Sequence, residues 1–375
     1  MAPTQDALYA GIDLELSWSE SQLPQRERTR HVHGLHPYLG KFIPQLVEVL
    51  LERYVPVGGR VLDPFAGSGT TLVQALESGR SAVGVDIAAF NCLLMDVKTR
   101  RYNLFTLEHD VRDALGRLEA FDGQAPERAS PYVEAWFAPR AAAELLFFRS
   151  LVDDYEHADV LRVVLTRAAR SARRTTHFDL DFPKQPQRAE YWCHKHKRTC
   201  RPVERAEHFL RRYGLDTIRR IREFTQVRAK GREAVVLHGD ARELELPPAD
   251  GVVTSPPYPG LIDYHEQHRY AYELLGLDDR RELEVGAAAA GTSVKAIRAY
   301  VDGMAAAFEN VRRGLRPRAP VVVVVNDRRG LYPEILERAG LAVQTRYQRH
   351  VNRRTGRRAG EFYEDVIVAL PAQSR

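Results

Sequence analysis

The run Asp63-Pro64-Phe65-Ala66-Gly67-Ser68-Gly69-Thr70-Thr71 constrains this chain more than any other feature. It follows the apolar Val61-Leu62, and together V-L-D-P-F reads as a short buried strand. Thr70 to Ser78 reads as a helix that Gly79 stops, and Ser81 to Ile87 reads as a second strand. Strand, glycine-rich turn, helix and strand make a βαβ unit, so a parallel sheet is expected. Gly67 and Gly69 permit a tight turn and close approach of a ligand to the backbone. The following helix N-terminus offers free N–H groups. The bland alternative is a plain turn.

The flanking residues narrow the ligand. A phosphate-binding P-loop ends in Gly-Lys-Ser/Thr, and no Lys stands here. The dinucleotide fingerprint needs a third glycine where Leu72 stands. Asp86 ends the next strand at the distance expected of a ribose-hydroxyl acceptor. A ligand with a ribose and a carboxylate but no phosphate fits, and S-adenosylmethionine is such a molecule.

A second motif, Thr254-Ser255-Pro256-Pro257-Tyr258, ends the apolar strand Gly251–Thr254. Two prolines fix φ and remove two N–H donors while leaving carbonyls free to accept. Ser255 adds a hydroxyl and Tyr258 a flat face. Acceptors at one edge and a stacking surface suit a flipped base carrying an NH₂ group. Alone, the motif reads equally as a Pro-Pro turn.

The 375 residues suffice for one large domain or two smaller ones. Residues 89–233 interrupt the α/β pattern with helical spacing, many arginines and no clear strand series. Strand patterns resume at Ala234–His238 and Gly251–Thr254, and continue at 321–325, 342–348 and 365–370. Residues 264–314 read as helical, broken by an Ala/Gly loop at 286–291. Residues 1–30 read as a weakly ordered arm or an edge element.

Net charge is +5, unevenly spread: residues 167–233 hold 19 Lys/Arg against 8 Asp/Glu. A basic segment on an acidic body points to a polyanion, against the alternative of a solvated helical face. No stretch approaches the roughly 18 apolar residues of a membrane span, and the N-terminus has no secretory pattern. Three cysteines, Cys92, Cys193 and Cys200, fit a reducing cytosol, so a cytoplasmic protein is expected.

The two motifs together resemble those of the DNA amino-methyltransferases, which methylate N4 of cytosine or N6 of adenine. The resemblance covers about residues 31–100 and 235–370. It implies an α/β fold, a Rossmann-like class I methyltransferase sheet of seven strands with a largely helical insert. It also implies S-adenosylmethionine as cofactor and double-stranded DNA as partner. On it, 31–100 and 234–375 form the catalytic domain and 101–233 a basic target-recognition insert, with 1–30 an N-terminal arm. The implied cofactor residues are Asp63, Pro64, Phe65, Ala66, Gly67, Ser68, Gly69 and Thr70. Asp86 takes the ribose, Ile87 packs on the adenine ring, and Asp240 with Ala241 lies near the adenine amine. Tyr38, Lys41 and Phe42, in His36–Pro44, close over the methionine end.

The implied catalytic residues are Ser255, Pro256, Pro257 and Tyr258. Family members with Ser at the first position are mostly cytosine-N4 enzymes, whereas adenine enzymes usually carry Asp. The expected reaction is therefore N4 methylation of cytosine at a specific DNA site, with a cognate restriction endonuclease as a possible partner. Rivals are adenine-N6 methylation, RNA methylation and a degenerate DNA-binding subunit.

Trp192, Lys195, Lys197, Arg198 and Arg201 are expected to meet DNA, the cations interleaved with Tyr191 and Trp192 in a way that suits phosphate contact and base packing, against the alternative of a solvated surface. Arg353 and Arg354, in the acid-free Arg346–Arg358 segment, are expected at a hairpin tip on the phosphate backbone. Cys193, His194, His196 and Cys200 invite a zinc reading, but adjacent Cys193 and His194 make joint ligation awkward, so no metal is expected. His265 to His268 either line the base pocket or sit on a helix.

Overall fold

In the computed structural model the described residues are 13–19, 21–40, 42–177, 183–260, 262–287, 289, 291–351 and 362–372. The expected βαβ unit is β1 (Arg60–Asp63), α2 (Thr70–Glu77) and β2 (Ser81–Asp86), preceded by α1 (Pro44–Tyr54), whose proline stands at its first turn. The chain next runs through helices α3 (Ala89–Thr99), α4 (Leu104–Glu119), α5 (Pro131–Trp136), α6 (Pro139–Leu151) and α7 (Ala158–Ala172). A short hairpin, β3 (Tyr191–Cys193) and β4 (Arg198–Cys200), and helix α8 (Glu207–Val227) come before the sheet resumes. The remaining elements are β5 (Ala234–His238), β6 (Gly251–Thr254), α9 (Tyr264–Gln267), α10 (Arg269–Leu275) and α11 (Val294–Gly314). They are followed by β7 (Val321–Val325), α12 (Tyr332–Arg338), β8 (Leu341–Val351) and β9 (Phe362–Pro371).

Seven strands form one sheet in the order β5-β2-β1-β6-β7-β9-β8. The pairs from β5 to β7 are parallel, and β9 is antiparallel to both neighbours. This is the Rossmann-like α/β fold, with the strand order reversing beside β1, where such sheets bind ligands at the carboxyl ends of their strands.

Central strands covered on both faces read as continuous apolar runs. The five valines of β7 are all buried, and burying each side chain contributes roughly 1.5 kcal/mol or more. Val321, Val323 and Val325 face a core shared with α11 and α12, whereas Val322 and Val324 face a core shared with α1 and α2.

Helices α4 to α8 do not stand apart. Leu107, Leu145, Val164 and Leu210 share an apolar cluster with Val73 of α2 and with Phe90 and Leu94 of α3. One departure from the sequence reading stands out. The β3–β4 hairpin lies within the helical stretch, and its three-residue strands are too short to show alternation. Near the N-terminus the chain packs from Asp13 onward: Leu16 is buried in the α1 core and Asp13 N donates to Gln348 O at 2.8 Å. Among the described residues no helix is long and apolar enough to cross a membrane.

Candidate active site

The carboxyl ends of β1, β2 and β6 meet at one cavity, and Asp63 ties them together. Its carboxylate accepts from Thr71 Oγ1 at 2.7 Å, Thr254 Oγ1 at 2.7 Å and Phe65 N at 3.2 Å. Burial pushes its pKa up to about 6, against the lowering effect of those bonds. One buried carboxylate thereby joins the first strand, the helix after the glycine loop and the strand that delivers the tetrapeptide.

The loop between them is shaped by two left-handed glycines. At Gly67 (φ 51°) a Cβ would stand 2.9 Å from the Tyr38 hydroxyl, and at Gly69 (φ 80°) 2.9 Å from Met95 Cγ. From below, buried Lys98 donates through Nζ to Ser68 O at 2.5 Å.

Asp86 ends β2 and faces the cavity. Its Oδ1 accepts from Ala88 N at 2.8 Å and Asn91 Nδ2 at 3.1 Å, and its Oδ2 from Gly67 N at 2.9 Å. A carboxylate has about four acceptor positions, so Oδ2 keeps one for a ligand hydroxyl. Burial pushes this pKa also up to about 6, opposed by the same three donors. Across the cavity Tyr38 stacks on Tyr264, centroids 5.6 Å apart and planes 13° apart. Asn91 Nδ2 also reaches the Tyr38 hydroxyl at 3.1 Å.

The cavity is lined by Tyr38, Phe42, Pro64, Phe65, Ala66, Gly67, Ser68, Thr70, Asp86, Ile87, Asp240, Ala241, Ser255 and Pro257 among the expected residues. Asn91, Arg242, Tyr264 and Glu284, which sequence reasoning missed, line it too. Ser68 Oγ, Asn91 Oδ1 and Glu284 Oε2 are buried without a hydrogen-bond partner, and a buried polar atom left unpaired is costly. All three belong to residues that line the cavity, so its wall carries polar groups that the protein itself leaves unsatisfied. Acidic Asp86 and Glu284 and four aromatic rings suit a cation with a ribose and a flat base. The residues present therefore fit S-adenosylmethionine.

Several expected residues stand elsewhere. Asp63, Gly69, Pro256 and Tyr258 do not line the cavity: Asp63 is buried beneath the loop, and Gly69 caps α2 against Met95. Tyr258 is half-buried beside the α11 core and donates its hydroxyl to Glu364 Oε1 at 3.2 Å. Asp240 lines the cavity, but its carboxylate is held by Arg242, whose Nε lies 2.9 Å from each oxygen. It is not a free acceptor for an adenine amine. The tetrapeptide is braced from behind: the Tyr300 hydroxyl donates to Pro257 O at 2.9 Å and lies 2.9 Å from the Tyr332 hydroxyl. His265, Gln267 and His268 are buried and outside the cavity, with His265 Nδ1 against Glu284 Oε1.

Lys41, Arg353 and Arg354 lie outside the described residues. Arg346 and Arg349 of the basic segment pair with Asp365 at 2.8 Å and Glu364 at 3.3 Å, so they are not free for phosphate. Much of the charge on α8 is likewise internal, because Arg219 and Arg220 pair with Asp216, and Arg222 with Glu108. On the β3–β4 hairpin Trp192, Lys195, Lys197 and Arg198 are exposed, and so is Arg201 just beyond it, which makes a surface ion pair with Glu190 at 2.7 Å.

The seven-stranded sheet with this cavity at its switch point fits an S-adenosylmethionine-dependent methyltransferase. A family profile described as DNA methylase, of the N6/N4 group, matches residues 7–95. The type II methyltransferase M.MjaII of Methanocaldococcus jannaschii is 34% identical over 443 residues, covering 95% of this chain and 83% of that protein. The type II methyltransferase M.BsoBI of Geobacillus stearothermophilus is 23% identical over 286 residues, covering 70% of this chain and 56% of that protein. A solved S-adenosylmethionine-dependent methyltransferase from Methanosarcina mazei overlaps 87% of this chain and 98% of its own, at 10% identity and a TM-score of 0.35. The chain belongs to the DNA amino-methyltransferases: its methyl donor is S-adenosylmethionine and its substrate DNA.

Proposed function

We propose that the enzyme methylates the exocyclic N4 amine of cytosine at a specific site in double-stranded DNA. The observation that carries this reading is Ser255 at the cavity wall, where a hydroxyl replaces the carboxylate usual in adenine enzymes. Bound S-adenosylmethionine supplies an electrophilic methyl on a sulfonium. The protein's task is to hold the target amine so that its nitrogen lone pair points at that methyl. The lone pair is delocalised into the ring, and acceptors on both N–H bonds favour a pyramidal nitrogen that localises it. Ser255 Oγ and the Pro256 carbonyl are those acceptors. With the cofactor bound, the sulfonium sulfur would keep the C–S electron pair as the N–C bond formed, and the methylated nitrogen would lose one N–H proton to water.

Tyr258 follows the cavity-lining Ser255 and Pro257, and on this reading its ring faces the flipped base. Glu364 holds its hydroxyl, so the ring offers a fixed face for stacking against a flipped base. Residues 101–233 act as the recognition insert, with Trp192, Lys195, Lys197, Arg198 and Arg201 meeting DNA, joined by Arg353 and Arg354. The surplus of cations in that region and the exposed hairpin support this. The enzyme works in the cytoplasm, a reducing compartment that three cysteines without a disulfide suit. The type II relatives favour a cognate endonuclease as partner.

Single-molecule sequencing of DNA from cells expressing the protein tests the reading. N4-methylcytosine within one recurrent sequence is expected. N6-methyladenine in its place overturns the base assignment, and methylation without sequence preference overturns the recognition role of the insert.

A further inference from the structure

The β3–β4 hairpin is a separate two-stranded sheet of three residues per strand, and a lone hairpin of that size is marginal in water. At its turn Lys197 is left-handed (φ 53°), and its N–H closes onto Cys193 O at 2.8 Å. Such a turn needs an anchor, and apolar packing does not supply one, because Trp192 is 56% exposed.

Four side chains converge there. His177, Cys193, His196 and Cys200 place one ligand atom each within 4.8 Å of all the others. Cys193 Sγ lies 3.5 Å from His177 Nδ1, and Cys200 Sγ lies 3.5 Å from His196 Nδ1. A tetrahedral zinc ion with Zn–S of about 2.3 Å and Zn–N of about 2.05 Å holds sulfur and nitrogen about 3.5 Å apart. The imidazoles meet edge to face with centroids 4.4 Å apart, as two rings converging on one point do.

The surroundings also suit thiolate ligands. Backbone N–H groups of Lys195 and His196 hydrogen-bond the Cys193 sulfur, and His177 N donates to the Tyr191 hydroxyl at 3.2 Å, which ties residue 177 to the hairpin. The same hydroxyl lies 2.8 Å from His177 Nδ1, a contact that zinc on that nitrogen would replace. Both cysteines are buried and neither is in a disulfide. His194, beside Cys193, is not among the four. The ligand that replaces it stands at 177, before the hairpin.

From this geometry we propose that His177, Cys193, His196 and Cys200 form a structural Cys₂His₂ zinc site that fixes the basic hairpin. All four positions are filled by protein, so the site is closed to substrate and its role is to hold Lys195, Lys197 and Arg198 in place between its ligands. The use of that hairpin on DNA rests on the function proposed above. The metal assignment does not, and metal content tests it separately.

The experiment is zinc analysis of the full-length protein, purified without a polyhistidine tag and under reducing conditions. One zinc per chain is expected in the wild type and in His194→Ala, and little or none in Cys193→Ser and Cys200→Ser. Calorimetry with S-adenosylmethionine checks that the variants remain folded. Should they not fold, cobalt substitution of the wild type decides: a tetrahedral site with thiolate-to-cobalt charge transfer supports the proposal. A metal-free wild type, zinc retained in Cys193→Ser, a Cys193–Cys200 disulfide under reducing conditions, or an octahedral cobalt spectrum overturns it.

Discussion

Asp86 should make cofactor affinity fall steeply with acid. Its pKa is pushed up to about 6 by burial, against the donors Ala88 N, Asn91 Nδ2 and Gly67 N. The ionised carboxylate accepts a ribose hydroxyl and favours a cationic ligand, whereas the protonated acid loses both advantages. With a pKa near 6, the ionised fraction drops about tenfold between pH 7 and pH 5. The dissociation constant of S-adenosylmethionine should therefore rise about tenfold over that range in titration calorimetry.

Asp240 cannot produce the effect, because hydrogen bonds from Arg242 outweigh its burial and hold its pKa below the usual range. Asp86→Asn removes the titrating group. It should weaken binding at pH 7 by roughly 10- to 150-fold, the worth of a hydrogen bond to a charged group, and flatten the profile. Asp63→Asn alters the other carboxyl that titrates near 6 but should leave the slope. A wild-type slope persisting in Asp86→Asn would refute the assignment of Asp86 to the ribose.

Four further outcomes are expected. Gly67→Ala sets a Cβ 2.9 Å from the Tyr38 hydroxyl at φ 51°; it should cost about 1–2 kcal/mol in urea unfolding from the backbone alone and weaken cofactor binding by displacing Tyr38. Both Asp63 and Asp86 have folded pKa values raised above the unfolded range, so the folded state holds more protons between about pH 4 and pH 6. Their contribution to the stability of the cofactor-free protein should thus fall as pH rises through that window, and Asp63→Asn should shrink the slope in thermal melts. Reversing Lys195, Lys197 and Arg198 to Glu should abolish DNA retention in gel-shift assays and spare cofactor binding; unchanged retention returns the hairpin to a solvated surface. Tyr258→Ala should lower kcat/KM by roughly 5- to 150-fold, the worth of about 1–3 kcal/mol of base stacking, whereas Tyr258→Phe, keeping the ring, should lose less.

The parts legible in sequence were those whose chemistry is local. The valines of β7 announce a strand because both faces are covered, and the glycine loop announces itself because only glycine tolerates its φ values. Asp86 could be found by its offset from that loop. Glu284 could not, since it lies in an irregular segment and reaches the cavity through the fold. Asn91 carried a faint signal, five residues beyond a strand-ending Asp86 with which it bonds.

Counting charges misjudged α8, where arginines that read as free cations face acidic partners on their own helix and on α4. The tyrosine of the tetrapeptide was legible as a flat face but not as a pinned one, because Glu364 comes from β9, 106 residues further along. The cysteine–histidine run shows the same limit of local reading. Its spacing paired Cys193 with His194, whereas folding brings His177 from the far side of the hairpin.

Nucleoside mass spectrometry of DNA treated with the pure protein and S-adenosylmethionine tests the central claim most directly. The account predicts N4-methyl-2′-deoxycytidine as the main product, with the rate in Ser255→Ala lowered chiefly through kcat because the lost acceptor acts as the nitrogen pyramidalises. N6-methyl-2′-deoxyadenosine as the main product, or wild-type kcat in Ser255→Ala, would contradict it.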